Sequence, residues 1–132
     1  MTTKNIERLV DANLNRLREA LRTLEDVQRY IYDNGELSSQ FKELRHQLTP
    51  LFNTNRLQFR DIEGDVSKTS TKSEMSRNSL NDLTAANFSR ATESARVLEE
   101  AFKLIDVESS ATAKSIRYKL YALEKKVYGF WV

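Results

Sequence analysis

At 132 residues, with 39% apolar and 30% charged side chains but only three glycines and one proline, the chain is long enough for one domain and too poor in turn formers for an all-β fold. Twenty-one basic residues against nineteen acidic ones leave a net charge of +2 with no long run of either sign, which disfavours nucleic acid as a partner. The absence of cysteine excludes a disulfide framework and a thiolate metal centre, the single His46 cannot build a multi-histidine site, and the lack of long apolar stretches or of an apolar-centred leader points to a cytoplasmic protein that does not enter a membrane.

From Ile6 to Tyr32 apolar residues recur at three- and four-residue steps through Val10, Leu14, Leu17, Leu21, Leu24 and Ile31, the stripe of an amphipathic helix. Asn34-Gly35 tolerates left-handed geometry and is predicted to end it. Ser38 or Ser39 then caps a second helix carrying Phe41, Leu44 and Leu48, which Pro50 breaks or kinks near Thr49. Residues 61–78 are rich in serine, threonine, lysine and acids and read as a long polar loop, a length that in compact domains usually marks a lid or binding loop. Ser79, followed three places later by Asp82, caps a third helix to about Ile105. A fourth starts near Ser109 or Ser110 and carries Ile116, Leu120, Leu123 and Val127, and the apolar end Gly129-Phe130-Trp131-Val132 is expected to dock on the bundle or on a partner subunit.

The chain also repeats itself. Ala12–Asp26 laid over Ala86–Glu100, an offset of 74, gives seven identities in fifteen positions, including Asn13/Asn87, Arg16/Arg90, Glu19/Glu93, Arg22/Arg96 and Glu25/Glu99. A weaker echo pairs Leu44-Arg45-His46-Gln47-Leu48 with Ile116-Arg117-Tyr118-Lys119-Leu120. The expected architecture is therefore all-α: a four-helix bundle of two duplicated hairpins within a single domain, repeat 1 over about residues 5–60 and repeat 2 over about 79–132, joined by the polar loop.

On a helical wheel Asn13 falls near the middle of the first helix's apolar arc and Arg16 at its edge, while Asn87 and Arg90 fall inside the broader arc of the third. Buried amides and guanidinium groups need partners. Either Glu25 and Glu99 neutralise Arg16 and Arg90 while the asparagines bond each other or the backbone, or the four residues, joined by Arg45 and Arg117, form an inward basic pocket for an anionic ligand. Glu19, Arg22, Glu93 and Arg96 read as solvated helix-face pairs. In the loop, Arg60-Asp61-Ile62-Glu63-Gly64-Asp65-Val66-Ser67-Lys68 offers carboxylates suited to Mg²⁺, with Asp61 and Asp65 as metal ligands and catalytic candidates, and Arg60 and Lys68 suited to phosphate oxygens. His46 is a further catalytic candidate, although Tyr118 at the echoed position denies the second half a histidine. No Walker-type glycine loop is present, so phosphate binding must come from side chains.

The segments Asp11–Asp26, Leu44-Arg45-His46, Arg60-Asp61 with Asp65-Val66, Ala86–Arg90 leading to Ala95–Glu100, and Ile116–Tyr121 closely resemble, in order and over nearly the whole chain, the small hydroxymethylpyrimidine-phosphate kinase family. Its members occur alone or fused to thiamin-phosphate synthase. The resemblance implies transfer of the γ-phosphoryl group of ATP, with Mg²⁺, to 4-amino-5-hydroxymethyl-2-methylpyrimidine phosphate. It carries the family's motifs onto Asn13, Arg16, Glu19, Asn87, Arg90, Glu93, Arg60, Asp61, Asp65 and Val66; Ser67 stands where relatives often have glycine. The expected partners are small phosphates, thiamin-phosphate synthase and, as an open possibility, a second copy of the chain. Two rivals remain open: a non-catalytic helical module associated with thiamin-phosphate synthase, and a chorismate-mutase-like bundle that binds a dicarboxylate through arginines.

Overall fold

The computed structural model describes residues 3–71 and 75–130, and every regular element among them is helical. The first apolar stripe folds as α1, Thr3–Asp26, burying Val10, Leu14, Leu17, Leu21 and Leu24, and continues into one π-helical turn, Val27–Ile31. The chain reverses at Asp33, which takes the left-handed φ of 51° expected of its neighbours. Asn34-Gly35 does not end α1; it opens α2, Gly35–Leu48, because the extended backbone of Asn34 lets its side chain accept the Leu37 N–H at 3.0 Å. The expected caps Ser38 and Ser39 lie inside α2, as its fourth and fifth residues, their hydroxyls donating to the carbonyls of Gly35 and Glu36.

Pro50 breaks α2 as expected, within a 3₁₀ turn at Thr49–Leu51, and a second 3₁₀ segment follows at Thr54–Phe59. The described residues from Arg60 to Ser79 form neither helix nor strand. Ser79 then caps α3, Leu80–Phe102, its hydroxyl accepting the Asp82 N–H at 3.0 Å. The last helix, α4, spans Val107–Val127 and is capped by Asp106 rather than by the serines predicted. A carboxylate can accept both the backbone N–H and the hydroxyl of Ser109, and these bonds hold Asp106 below its ordinary pKa.

One apolar cluster runs through all four helices, with Phe41, Phe88 and Phe102 fully buried and Phe41 tilted against Phe88 at 5.8 Å. Removing a ring of this kind costs about 3–5 kcal/mol. α1 and α3 share the largest interface and run antiparallel: Leu9 and Arg16 line one groove together with Val97 and Arg90, and Gln28, just beyond α1, lines a second cavity at the other end together with Asn81 and Thr84. Between α2 and α4, Lys119 reaches Gln47 and Lys126 reaches Gln40, again in opposite directions.

The duplication is written into the interior as two ion pairs. Arg45 of α2 binds Glu25 of α1 at 2.9 Å, and Arg117 of α4 binds Glu99 of α3 at 2.8 Å. The glutamates therefore neutralise the arginines of the partner helices and not Arg16 and Arg90, which are both exposed. At the carboxyl end Tyr128 packs on Phe88 with ring centres 6.4 Å apart, but Phe130 is exposed and does not dock on the bundle; Trp131 and Val132 lie outside the described residues. Among the described residues no helix is long and apolar enough to cross a membrane.

Candidate functional site

An open groove of about 970 Å³ lies between α1, α3 and the start of the polar loop. Its α1 wall presents Arg8, Asn13, Arg16 and Glu19, its α3 wall Arg90 and Val97, and its loop edge Arg60, Asp61, Asp65 and Lys68. The steps of three and four residues that place a core stripe on one side of α1 place this second, polar stripe beside it.

The loop is fastened at its start. Arg60 grips Asp11 with two hydrogen bonds of 2.8 and 2.9 Å, and those bonds raise its pKa. Four residues upstream, Arg56 pairs with Glu7, donates to the Leu51 carbonyl and lies over the Phe102 ring. Beyond Arg60 the carboxylates organise their own turns: Asp61 accepts the Gly64 N–H at 2.7 Å and Asp65 the Ser67 N–H at 2.9 Å, while the Lys68 ammonium donates to the Glu63 carbonyl. The Asp61 carboxylate lies so close over Gly64 that a β-carbon there would push it aside. Ser67 thus supports the Asp65 turn through its backbone, without needing glycine.

Of the residues singled out from sequence, Asn13, Arg16, Arg60, Asp61, Asp65 and Arg90 come together in this groove. Arg45, Arg117, His46 and Asn87 are not in its lining. Arg45 and Arg117 are committed to Glu25 and Glu99, and hydrogen bonds from Arg117 to the Tyr121 hydroxyl and to Glu99 raise its pKa against the lowering effect of burial. His46 is exposed on the last turn of α2. The two asparagines do not bond each other: each donates to the carbonyl four residues earlier, Asn13 to Leu9 at 3.0 Å and Asn87 to Leu83 at 2.9 Å.

The groove also takes in Arg8 and Asp11, to which the sequence assigned no role, and Glu19, which the helical wheel put on the solvated face and the resemblance put among the motif residues. Arg8 stands two helical turns before Arg16, a spacing that signals a shared face. With Arg60 neutralised by Asp11, the lining retains Arg8, Arg16, Lys68 and Arg90 against Glu19, Asp61 and Asp65. The side chains of Arg16 and Arg90 make no ion pair or hydrogen bond among the described residues, so both guanidinium groups are available to an anion. Asp61 and Asp65 each keep one carboxylate oxygen outside their turns, yet no group of three or more His, Cys, Asp or Glu able to hold a metal occurs among the described residues. That donor set fits Mg²⁺ arriving on nucleotide phosphates, which needs one or two carboxylates, and does not fit a metal caged by protein.

Comparison with known proteins gives a match to the ThiD2 family over residues 8–126. Thiamine-phosphate synthase from Synechocystis is 42% identical over 125 residues, covering 94% of this chain and 36% of its own. The proteins of that name from Rhodopirellula baltica and Gloeobacter violaceus are each 40% identical, covering 96% and 92% of this chain and 36% of their own. The chain thus spans about a third of the length of these relatives. No solved structure matches it significantly.

Proposed function

Since the chain belongs to the ThiD2 family, we propose that it serves thiamin synthesis as a kinase, using Mg·ATP to convert 4-amino-5-hydroxymethyl-2-methylpyrimidine phosphate to its diphosphate. The observation that supports this most is the pairing, in one groove, of two uncommitted arginines with two partly free carboxylates. In the reaction an oxygen of the acceptor phosphate bonds to the γ-phosphorus as the bond from that phosphorus to the β,γ-bridging oxygen breaks, releasing ADP. The acceptor is largely ionised near neutral pH, so no side chain need remove a proton, and the exposed His46 is not required. Catalysis reduces to positioning and charge neutralisation. Arg16 and Arg90 hold the reacting phosphates, Arg8 and Lys68 add positive potential, and Asp61 and Asp65 receive Mg²⁺ with the nucleotide. Selectivity for a phosphorylated acceptor follows, because the free alcohol brings no anion to Arg16 and Arg90 and forgoes those charge-assisted bonds.

The second reading, a non-catalytic module that accompanies thiamin-phosphate synthase, draws on a different observation: relatives with that name contain this sequence as about a third of a longer chain. The comparisons lean towards this association and the groove towards chemistry. Isothermal titration with Mg·ATP and with the monophosphate separates them. Saturable binding that Arg16→Ala and Arg90→Ala each weaken supports the kinase; no binding by the folded chain, together with capture of thiamin-phosphate synthase, supports the module.

A further inference from the structure

A second cavity, about 460 Å³, lies at the opposite end of the α1–α3 interface, between the π-helical turn, the start of α3 and the end of α4. Gln28, only 4% exposed, and Thr84, 6% exposed, both line it. Neither side chain makes a hydrogen bond among the described residues. The Gln28 amide is not sealed away, since among the described residues the only fully enclosed side-chain polar atom without a hydrogen bond is an Asp26 carboxylate oxygen. A buried amide is costly to leave without a hydrogen-bond partner, so the cavity that Gln28 faces is a place for a group that meets it. π-Helical turns recur at functional sites.

The duplication shows what such a place holds when it is filled. The offset of 74 that aligns the first and third helices puts Glu7, Val10 and Gln28 opposite Asn81, Thr84 and Phe102, and the offset of 72 that aligns the second and fourth puts Arg56 opposite Tyr128. In the first half the seat made by Glu7 and Phe102 is occupied by the flat guanidinium of Arg56, paired with the acid and lying over the ring. In the second half the same seat is lined by Asn81, Thr84 and Gln28, with Tyr128 drawn aside onto Phe88. No side chain of this half fills it.

We propose that this cavity binds an uncharged, planar nitrogen heterocycle that offers a hydrogen-bond donor beside an acceptor, as nucleobases do. The Gln28 amide supplies the matching donor and acceptor, the Thr84 hydroxyl and the Asn81 amide add polar contacts, and the rings of Tyr32 and Tyr128 give flat apolar surface. No carboxylate lines the cavity, and its one cation, Lys126, is engaged by Gln40. Burial, with Glu124 and Tyr32 nearby, raises the Tyr128 pKa, so this phenol too is neutral near pH 7. Gln28 is twelve residues from Arg16, about 18 Å along the helix, so the site is separate from the groove and independent of the reaction assigned there.

The test titrates the ¹⁵N-labelled full chain with cytosine as a free base, adenosine as a nucleoside and inorganic phosphate. Saturable movement of the Gln28 side-chain amide and of the Thr84 and Gly129 resonances with either base probe is expected, and the tighter of the two identifies the source. Gln28→Leu should weaken that binding by about tenfold or more without lowering thermal stability, because it removes an unpartnered amide. Thr84→Val provides the same test if the first variant does not fold. The proposal is overturned if neither base binds saturably, if the shifts centre on Arg16 and Arg90, if both variants bind like the parent, or if phosphate moves the Gln28 amide.

Discussion

Arg45 and Arg117 occur once in each half of the molecule, as do Arg16 and Arg90, yet the two sets live under opposite conditions. The first set crosses between helices to glutamates inside the bundle, and the second stands on an open groove wall with no carboxylate holding it. Repetition alone therefore does not separate scaffold from site. What separates them is whether a buried acid was repeated along with the base. Glu25 and Glu99 recur with Arg45 and Arg117, and the hairpins are locked by those pairs; Arg16 and Arg90 recur without an interior partner, and their charge is left for a ligand.

The contrast can be tested by removing members of each set. Arg117→Ala leaves the Glu99 carboxylate buried without its strongest partner and should cost about 3–5 kcal/mol in urea unfolding, with a double variant Arg117→Met/Glu99→Leu recovering much of that loss. Arg45→Ala acts on a less buried pair and should cost about 2–3 kcal/mol, between the buried and the exposed ranges. Arg16→Ala and Arg90→Ala should each change stability by less than about 0.5 kcal/mol, while calorimetric binding of Mg·ATP or the monophosphate falls at least about tenfold. If they destabilise the fold as Arg117→Ala does, the division into scaffold and site is wrong.

A smaller effect concerns pH. Bonds from Ser109 hold the Asp106 carboxyl below its ordinary value in the folded chain. Its contribution is then complete above the unfolded value near about pH 4 and is lost as pH falls through the folded one. Asp106→Asn should flatten the fall of the urea midpoint below about pH 4, with little change near neutrality.

The helices themselves were legible because apolar periodicity survives tertiary packing: Val10 to Leu24 and Ile116 to Leu123 are buried as their spacing predicts. The caps were less so. Asn34 and Asp106 compete with nearby serines for the same role, and only the local backbone decides which side chain reaches the free N–H groups. At the groove, the wheel placed Arg16 correctly at the edge of its apolar arc but put Arg90 inside the arc of the third helix, whereas Arg90 is exposed: a wheel cannot tell a face that meets solvent from one that meets a neighbour. It missed Arg8 and Asp11 because their significance depends on where the loop folds back, and that is set by the contact of Arg60 with Asp11 across 49 positions of sequence.

The two hairpins also differ in length. Twenty residues separate Glu25 from Arg45 and eighteen separate Glu99 from Arg117, yet each pair closes at nearly the same distance. The surplus is taken up at the tip of the first hairpin, by the wider π turn and the left-handed residue at Asp33, beyond the last buried contact between charge and counter-charge. The tip thus behaves as an expansion joint. An insertion there is expected to leave the fold intact, and a one-residue deletion within Tyr30–Asp33 should shorten the connection while leaving the Glu25–Arg45 clasp closed.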